Sequence, residues 1–184
     1  MTSASILWRR LDTPGHDACR LERDSAGWRL EGAAVFRHEG AAAQLAYRVV
    51  CDLQWRTQHG EVHGWLGADA VDLMIAKTDA GGWMVNGAVA ANPGNCVDLD
   101  FGFTPATNLL QLRRLALNAG QAADAPAAWL DVSARALELL PQRYELRTDA
   151  TYWYEAPSVG YAALLEVAPS GFIRRYPGLW EEEA

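Results

Sequence analysis

The sequence has little positive charge, and this shortage excludes two classes of protein. Its 184 residues include 16 Lys and Arg against 23 Asp and Glu, so the net charge is −7 at pH 7. Nucleic-acid binders draw much of their affinity from neutralised phosphates, and basic arms hold proteins on anionic lipid head groups. The charge balance argues against both. Half of the residues are apolar, which is enough to build the core of one domain over residues 1–184.

Cysteines and long apolar runs are also scarce. Cys19, Cys51 and Cys96 form neither a C-x-x-C motif nor a zinc-binding pattern, and an odd number predicts free thiols in a reducing compartment. The apolar run at residues 6–8 is too short for the core of a signal peptide. No run approaches the ~18 apolar residues of a membrane-spanning helix. We therefore expect a cytoplasmic protein without a transmembrane segment.

Several short motifs of catalytic and metal sites are missing as well. The sequence contains no G-x-S-x-G, no P-loop and no G-x-G-x-x-G. His59 and His63 have a spacing that would suit a metal on a helix, but Gly60 and Gly64 favour a turn between strands. We predict no metal site and no cofactor.

The dominant pattern is an alternation of apolar and polar residues. It is strongest from Leu45 to Thr57, which predicts a single strand spanning roughly 44 Å and hence an extended, bent sheet. Thr104-Pro105 predicts the start of a short helix. The whole predicts a mainly β meander of about ten to twelve antiparallel strands with at most one or two helical turns. Further predicted strands cover residues 28–36, 71–75, 83–89, 97–103, 129–132, 143–147, 151–154, 161–167 and 171–176.

Asp98 and Asp100 are two residues apart on one predicted strand, so both side chains leave the same face. We expect the alternate residues Val97, Leu99, Phe101 and Phe103 to face the core. The two carboxylates have two interpretations. They pair with arginines such as Arg113 or Arg114, or they form the acid–base pair of an enzyme that resembles an inverting glycosidase. We predict that at least one of them pairs with an arginine.

Tryptophan is unusually common, with 8 Trp against 4 Phe. Core packing accounts for many large rings, whereas a ligand cleft uses them to stack on sugar faces or acyl chains. The stretch Thr151-Tyr152-Trp153-Tyr154 places aromatic rings on both faces of one strand. The second face is therefore covered or contacts a ligand.

The stretch from Gly94 to Asn108, continued by Arg113-Arg114-Leu115, resembles a bacterial glycolipid-binding family formerly of unknown function. Further similar segments are Trp8-Arg9, Gln142-Arg143-Tyr144 and Tyr176-Pro177-Gly178-Leu179-Trp180. The resemblance implies a curved antiparallel sheet forming a half-barrel or incomplete barrel, similar to carriers of lipids and lipoproteins. It implies glycolipid binding as a conjecture from that shape, and it carries over no catalytic residues.

These observations lead to one favoured hypothesis and two alternatives. The favoured one is a binding protein, monomeric or homodimeric, for an amphipathic ligand such as a glycolipid or lipid-linked sugar. We expect the ligand on the concave face of the sheet, with no second sheet covering that face. The alternatives are an enzyme acting on a carbohydrate or lipid conjugate through Asp98 and Asp100, and a protein-interaction module. Candidate ligand contacts are Trp83, Asn86, Asp98, Asp100, Thr107, Asn108, Arg113, Tyr152, Tyr154 and Arg174.

Overall fold

The computed structural model describes residues 3–183, most of which lie in β-strands. Residues 1, 2 and 184 of the predicted domain lie outside this part. The first eight strands are β1 (Ser3–Arg10), β2 (Gly15–Arg23), β3 (Gly27–His38), β4 (Ala41–Asp52), β5 (Thr57–Leu66), β6 (Asp69–Lys77), β7 (Trp83–Val85) and β8 (Ala88–Ala90). The next nine are β9 (Asp98–Phe101), β10 (Ala122–Asp124), β11 (Ala127–Asp131), β12 (Ala136–Leu140), β13 (Arg143–Thr148), β14 (Thr151–Ala156), β15 (Tyr161–Val167), β16 (Ile173–Tyr176) and β17 (Trp180–Glu182). Helix α1 (Asn108–Leu115) follows β9, and a 3-10 turn (Pro157–Val159) follows β14.

Fourteen of these strands form one large antiparallel sheet. Its order is β10-β13-β14-β15-β16-β17-β1-β2-β3-β4-β5-β6-β7-β8, so β10 and β8 are the two edges. No pairing between these edges closes the sheet within residues 3–183. The mainly β fold and the incomplete barrel predicted from the sequence are thereby confirmed.

The outer face of the large sheet carries a row of ion pairs that follows the strand register. Arg20, Glu31, Arg48 and Glu61 are direct neighbours on β2, β3, β4 and β5. Their N–O distances are 2.7 Å, 2.6 Å and 3.4 Å along the row. Such exposed pairs add little stability each. Together with the buried residues between them they favour one register, because a slip by one residue would turn the charges into the core.

A second, three-stranded sheet covers the core face of the large one, so the expectation of an uncovered face is wrong. Its order is β12-β11-β9, and β9 runs parallel to β11. Phe101 and Phe103 pack edge-on against Tyr47 of β4, with ring centroids 6.0 Å and 5.7 Å away. Leu99 approaches Gly60 of β5 so closely that a Cβ on Gly60 would lie 2.5 Å from Leu99 Cδ2. The lack of a side chain at Gly60 therefore allows the two sheets to pack closely.

Several predicted boundaries are wrong, and the strand predicted over residues 83–89 is split into β7 and β8 by a turn at Asn86 and Gly87. The alternation from Leu45 to Thr57 is not one strand, because β4 ends at Asp52 and the chain turns back into β5. The Asp52 carboxylate accepts the N–H groups of Gln54 and Arg56, both at 2.9 Å, and this local bonding competes with strand extension. The helix begins at Asn108 rather than after Thr104-Pro105, with Thr107 as its N-cap.

Candidate functional site

A cleft of about 290 Å³ lies where the small sheet meets β14–β17. Its volume places it at the lower end of the range for small-molecule pockets, which is about 300–1,000 Å³. One side comes from the segment after β9, and the opposite side comes from strands near the C-terminus. Its lining residues are Asp100, Phe101, Gly102, Thr104, Pro105, Asn108, Trp129, Leu140, Tyr154, Ala156, Val159, Tyr161, Tyr176, Leu179 and Trp180.

Tyrosine rings form one wall of the cleft. The Tyr154 centroid is 6.0 Å from that of Tyr161 and 5.7 Å from that of Tyr176, and the latter two are 5.1 Å apart. Tyr144 packs behind Tyr154 at 4.9 Å. The pairing of β13 with β14 explains this contact, because Tyr144 and Tyr154 are direct register partners. The wall is therefore set by strand register rather than by a mobile loop.

Trp129 and Gly102 meet on the opposite side of the cleft. A Cβ on Gly102 would lie 2.5 Å from Trp129 Nε1, so a side chain here would displace the indole. Trp129 is half-buried, as suits a ring that lines the cleft. A glycine directly after β9 is what lets this indole lie against the backbone.

Asp100, whose side chain is buried, is among the residues that line the cleft. Gln142 Nε2 donates to Asp100 Oδ2 at 2.5 Å, and the Thr107 hydroxyl donates to Asp100 Oδ1 at 3.2 Å. Burial raises the pKa of Asp100 to about 6, although both hydrogen bonds act to lower it. The nearby charge of Asp98 raises it further. A residue whose carboxyl pKa is raised to about 6 thus lines the cleft.

A chain of neutral groups extends from Asp100 into the core. The Tyr144 hydroxyl donates to Gln142 Oε1 at 3.2 Å and accepts from Asn108 Nδ2 at 2.7 Å. Thr107 Oγ1 also accepts the Phe101 N–H at 3.1 Å, which fixes the turn between β9 and α1. Asn108 begins α1, so the helix start, the turn and β13 are held by one hydrogen-bonded network.

Asp98 has a different environment from Asp100. Arg114 of α1 binds its carboxylate through two nitrogens, with Nε at 2.9 Å from Oδ1 and a terminal nitrogen at 2.5 Å from Oδ2. The predicted Asp–Arg pair is therefore confirmed. Burial raises the pKa of Asp98, and Arg114 opposes that rise. The expectation that this aspartate face lies away from the core is wrong, because all four residues of β9 are buried.

A third buried carboxylate, Asp17 of β2, lies close to the cleft without lining it. The Tyr47 hydroxyl donates to Asp17 Oδ2 at 2.9 Å, and the Thr104 hydroxyl donates to the same oxygen. Thr104 lines the cleft, so its hydroxyl links the two regions. Burial raises the pKa of Asp17 to about 6. The sequence analysis did not identify this residue.

The structure brings four of the ten predicted contact residues together. Asp100, Asn108 and Tyr154 line the cleft, and Thr107 bonds to Asp100. Tyr152 lies two residues before Tyr154 on β14, half-buried, and is not among the lining residues. These residues converge because β9, the start of α1 and β14 meet at the cleft.

The other predicted contacts lie elsewhere. Trp83 is fully buried, and its indole N–H donates to the Cys96 carbonyl at 3.0 Å. Asn86 is exposed and binds the Met74 N–H through Oδ1 at 2.7 Å. Arg113 donates to the Ser170 carbonyl at 2.5 Å, and exposed Arg174 pairs with Glu182 at 3.4 Å. Asp98 is held by Arg114, as described above.

Among the residues of the cleft and its network that were missed are Trp129, Gln142, Tyr161, Tyr176 and Trp180. Gln142, Tyr176 and Trp180 lie inside segments that carry the family resemblance, and that was the available signal. Trp129 and Tyr161 showed no distinctive local pattern. Only the pairing of distant strands places them at the cleft.

The described part of the chain is further characterised by its candidate metal ligands, its cysteines and its helix length. Among residues 3–183, no group of three or more His, Cys, Asp or Glu side chains is placed to hold a metal ion. All three cysteines are free and buried. No helix in that same range is long and apolar enough to cross a bilayer.

Comparisons with known proteins agree with this architecture. The structure matches a crystal structure of a DUF1089 family protein from Pseudomonas aeruginosa with a TM-score of 0.77. The match covers 98% of this chain and 92% of the other at 24% identity, so it shows a shared fold alone. No curated protein matches the chain. A family model described as "Putative glycolipid-binding" matches residues 5–182. Because that match spans nearly the whole sequence, the chain belongs to the family so described.

Proposed function

We propose that the chain binds an amphipathic ligand such as a glycolipid or lipid-linked sugar, with the polar head group in the cleft. The observation that carries this proposal is the combination of an aromatic wall with buried hydrogen-bonding groups in one cleft. Flat rings stack on the apolar faces of sugars, and a few fixed polar groups set orientation and specificity. Asp100 and Asn108 supply those groups beside Tyr154 and Trp129.

The size of the cleft restricts what enters it. At about 290 Å³, it suits a sugar-sized head group rather than a lipid with two acyl chains. The expected binding surface, an open concave sheet, is filled instead by β9, β11, β12 and α1. The hydrophobic part of the ligand must therefore lie outside the cleft.

An apolar groove beside the cleft offers a place for that part. The groove has a volume of about 420 Å³, and its apolar residues are Pro126, Leu139, Pro141 and Pro157. Leu139 precedes Leu140 on β12, and Pro157 follows Ala156 at the end of β14, so the groove borders the same strand ends as the cleft. Because consecutive strand residues face opposite sides, a ligand tail would reach the groove by passing over these strand ends. Gln142 contributes to the groove and binds Asp100 in the cleft. A head group in the cleft and a tail in the groove would satisfy both parts of an amphipathic molecule.

The geometry favours binding over the two-carboxylate enzyme. An acid–base pair requires both carboxylates to face the reacting bond. Only Asp100 of the two is among the described lining residues, and Arg114 engages both oxygens of Asp98. The second carboxylate that such a mechanism needs is thus absent from this cleft.

Native mass spectrometry of the purified chain with a panel of glycolipids tests the proposal. We expect mass adducts with single-tailed or polyprenyl-linked sugars, and weaker binding after Leu139→Asp in the groove. Leu164→Asp is the matched control, because Leu139 is 46% exposed and Leu164 is 45% exposed, yet Leu164 lines neither the cleft nor the groove. Both variants place a charge on an exposed leucine, so effects on folding should be similar.

Two results would overturn the proposal. One is the absence of adducts across the whole panel at concentrations well above those of the protein. The other is an equal loss of binding in Leu139→Asp and Leu164→Asp, because it would show that the groove has no special part in binding.

A further inference from the structure

Asp100 is the one lining residue of the described cleft with a full charge. The other lining residues are apolar, aromatic or neutral, and none of those described is Lys, Arg or His. Its hydrogen-bond partners, Gln142 and Thr107, are neutral as well. Asp98, by contrast, has the guanidinium of Arg114. The carboxylate of Asp100 is therefore buried beside a cleft without a cationic partner.

The ring wall adds to the negative character of the cleft. Aromatic faces carry partial negative charge and attract ammonium groups within about 6 Å of the ring centroid. Tyr154, Tyr161 and Tyr176 lie around the same space as Asp100. Wherever an ammonium enters between these rings, the carboxylate and the ring faces attract it together.

Cations outside the lining do not cancel this charge. Arg10 lies over the Trp180 ring, 5.3 Å from its centroid, but its Nε is 2.7 Å from Asp12 Oδ1. Arg114 is engaged by Asp98. Both guanidiniums are thus paired with other carboxylates.

We propose that the head group taken by the cleft is an amino sugar, whose protonated amine pairs with the Asp100 carboxylate. This inference rests on the proposed function and names the chemical class of its ligand. A carboxylate has about four acceptor positions, and the protein fills two of them at Asp100. The free positions accept an ammonium, while Trp129 and the tyrosines contact the sugar ring.

The protonation behaviour of Asp100 is consistent with this role. Burial raises its pKa to about 6, so the charge is costly in the protein alone. The groups that face it are Thr107 after β9, Gln142 before β13, Asp98 on β9, and the more distant rings of Tyr144, Tyr154 and Tyr176. None of these is cationic. A bound ammonium would favour the ionised carboxylate.

Three octyl glycosides that differ at one position test the inference. The probes are octyl glucoside, its 2-amino analogue and its 2-acetamido analogue, each titrated below micelle formation at a pH where the amine is protonated. We expect the 2-amino probe to bind at least about tenfold more tightly than the glucoside, as for a charge-assisted hydrogen bond in a desolvated site. The acetamido probe keeps the nitrogen without the charge and should show no such gain.

Asp100→Asn is the decisive variant, because it keeps the shape of the side chain and removes the charge. We expect its preference for the 2-amino probe to fall to about that of the uncharged probes. Octylamine, which has the charge and tail without the sugar, should bind more weakly than the 2-amino glycoside. Heteronuclear NMR spectra verify that the variant is folded and show which residues respond.

The outcomes separate this inference from the proposed function. If all three glycosides bind equally, and Asp100→Asn changes nothing, the amino-sugar inference is wrong while the proposed function stands. If octylamine binds as tightly as the 2-amino glycoside, the sugar is not recognised and the inference is again wrong. If none of the glycosides binds and the lipid panel is also negative, both fail.

Discussion

Asp17 and Asp100 are two carboxylates with similar burial, pKa and hydrogen-bond donors, but only one of them lines the cleft. Both are buried, and burial raises the pKa of each to about 6. Both accept hydrogen bonds from neutral side chains, Tyr47 and Thr104 in one case and Gln142 and Thr107 in the other. Asp100 lines the cleft and Asp17 does not. Access to a cleft, rather than the raised pKa, separates the two.

The segment between β9 and α1 connects these two regions. Thr104 donates to Asp17, and Thr107 donates to Asp100 from the same turn. Asp98 provides a third environment, because a bidentate arginine compensates its charge. A raised pKa on its own therefore shows only that a carboxyl group is buried. Such a group is a candidate functional residue only when a ligand is also able to reach it.

The largest expected effect on stability comes from removing the cationic partner of Asp98, which leaves it unpaired like Asp17 and Asp100. Arg114→Ala leaves the fully buried Asp98 carboxylate without its cation, and removing one partner of a buried pair costs about 3–5 kcal/mol. We expect a fall of about that size in the free energy of unfolding, measured in denaturant at pH 7.

The double variant Asp98→Asn with Arg114→Ala is the control for this prediction. It should recover much of the loss, because no unpaired charge remains in the core. If Arg114→Ala costs less than about 1 kcal/mol, the pair behaves like an exposed salt bridge, and the contrast between Asp98 and the two unpaired aspartates disappears.

The next effect concerns the pH dependence of stability. Between about pH 4 and 6, folded Asp17 holds a proton that the unfolded chain has released. The free energy of unfolding therefore falls as the pH rises through that window. Asp17→Asn imitates the protonated state, so we expect the variant to be more stable than the parent at pH 8 by about 2–3 kcal/mol.

Asp100→Asn sharpens this second prediction. The Asp100→Asn variant should also be more stable than the parent at pH 8, because the pKa of Asp100 is raised to about 6, as is that of Asp17. Only Asp100→Asn should alter the binding of amino glycosides. If Asp17→Asn is no more stable than the parent at pH 8, or if it changes ligand preference as strongly as Asp100→Asn, the division between the two sites is wrong.

The alternation in the sequence was sufficient to predict the sheet but not where each strand begins and ends. The hairpin between β3 and β4 follows from His38-Glu39-Gly40, where Glu39 and Gly40 have φ of 47° and 81°. The strand through residue 57 failed because the Asp52 side chain binds the backbone of the turn. β1, β2, β5, β10, β12 and β17 were not predicted, and β5 contains Gly60 and Gly64, where a turn between strands was expected. Short edge strands such as β10 depend on pairing with distant partners.

The candidate site was predictable only in part for a similar reason. Asp100, Thr107 and Asn108 lie close in sequence within the segment that carries the family resemblance, so local inspection found them. Asp17 was missed because β2, the strand that carries it, was not predicted. Its burial follows from the turn at Thr104 and from the second sheet, and the sequence did not predict that sheet. Because the second sheet covers the core face, a polar residue such as Asp17 is buried rather than exposed.

The smallest effect on stability in this series comes from Tyr47, whose hydroxyl donates a hydrogen bond to Asp17. Tyr47→Phe removes the hydroxyl that donates to Asp17 at 2.9 Å and keeps the ring against Phe101 and Phe103. A hydrogen bond to a charged group is worth more than one to a neutral group, so the loss in the free energy of unfolding should be about 1.5–2 kcal/mol at pH 8 and about 1 kcal/mol at pH 5.

Tyr161→Phe is the matched control on the cleft wall, because the Tyr161 hydroxyl donates at 2.7 Å to the Pro177 carbonyl, which does not titrate. Its loss should be the same at both pH values. Denaturant unfolding at the two pH values measures both variants, and a loss in Tyr47→Phe that is independent of pH would show that Asp17 keeps one protonation state throughout.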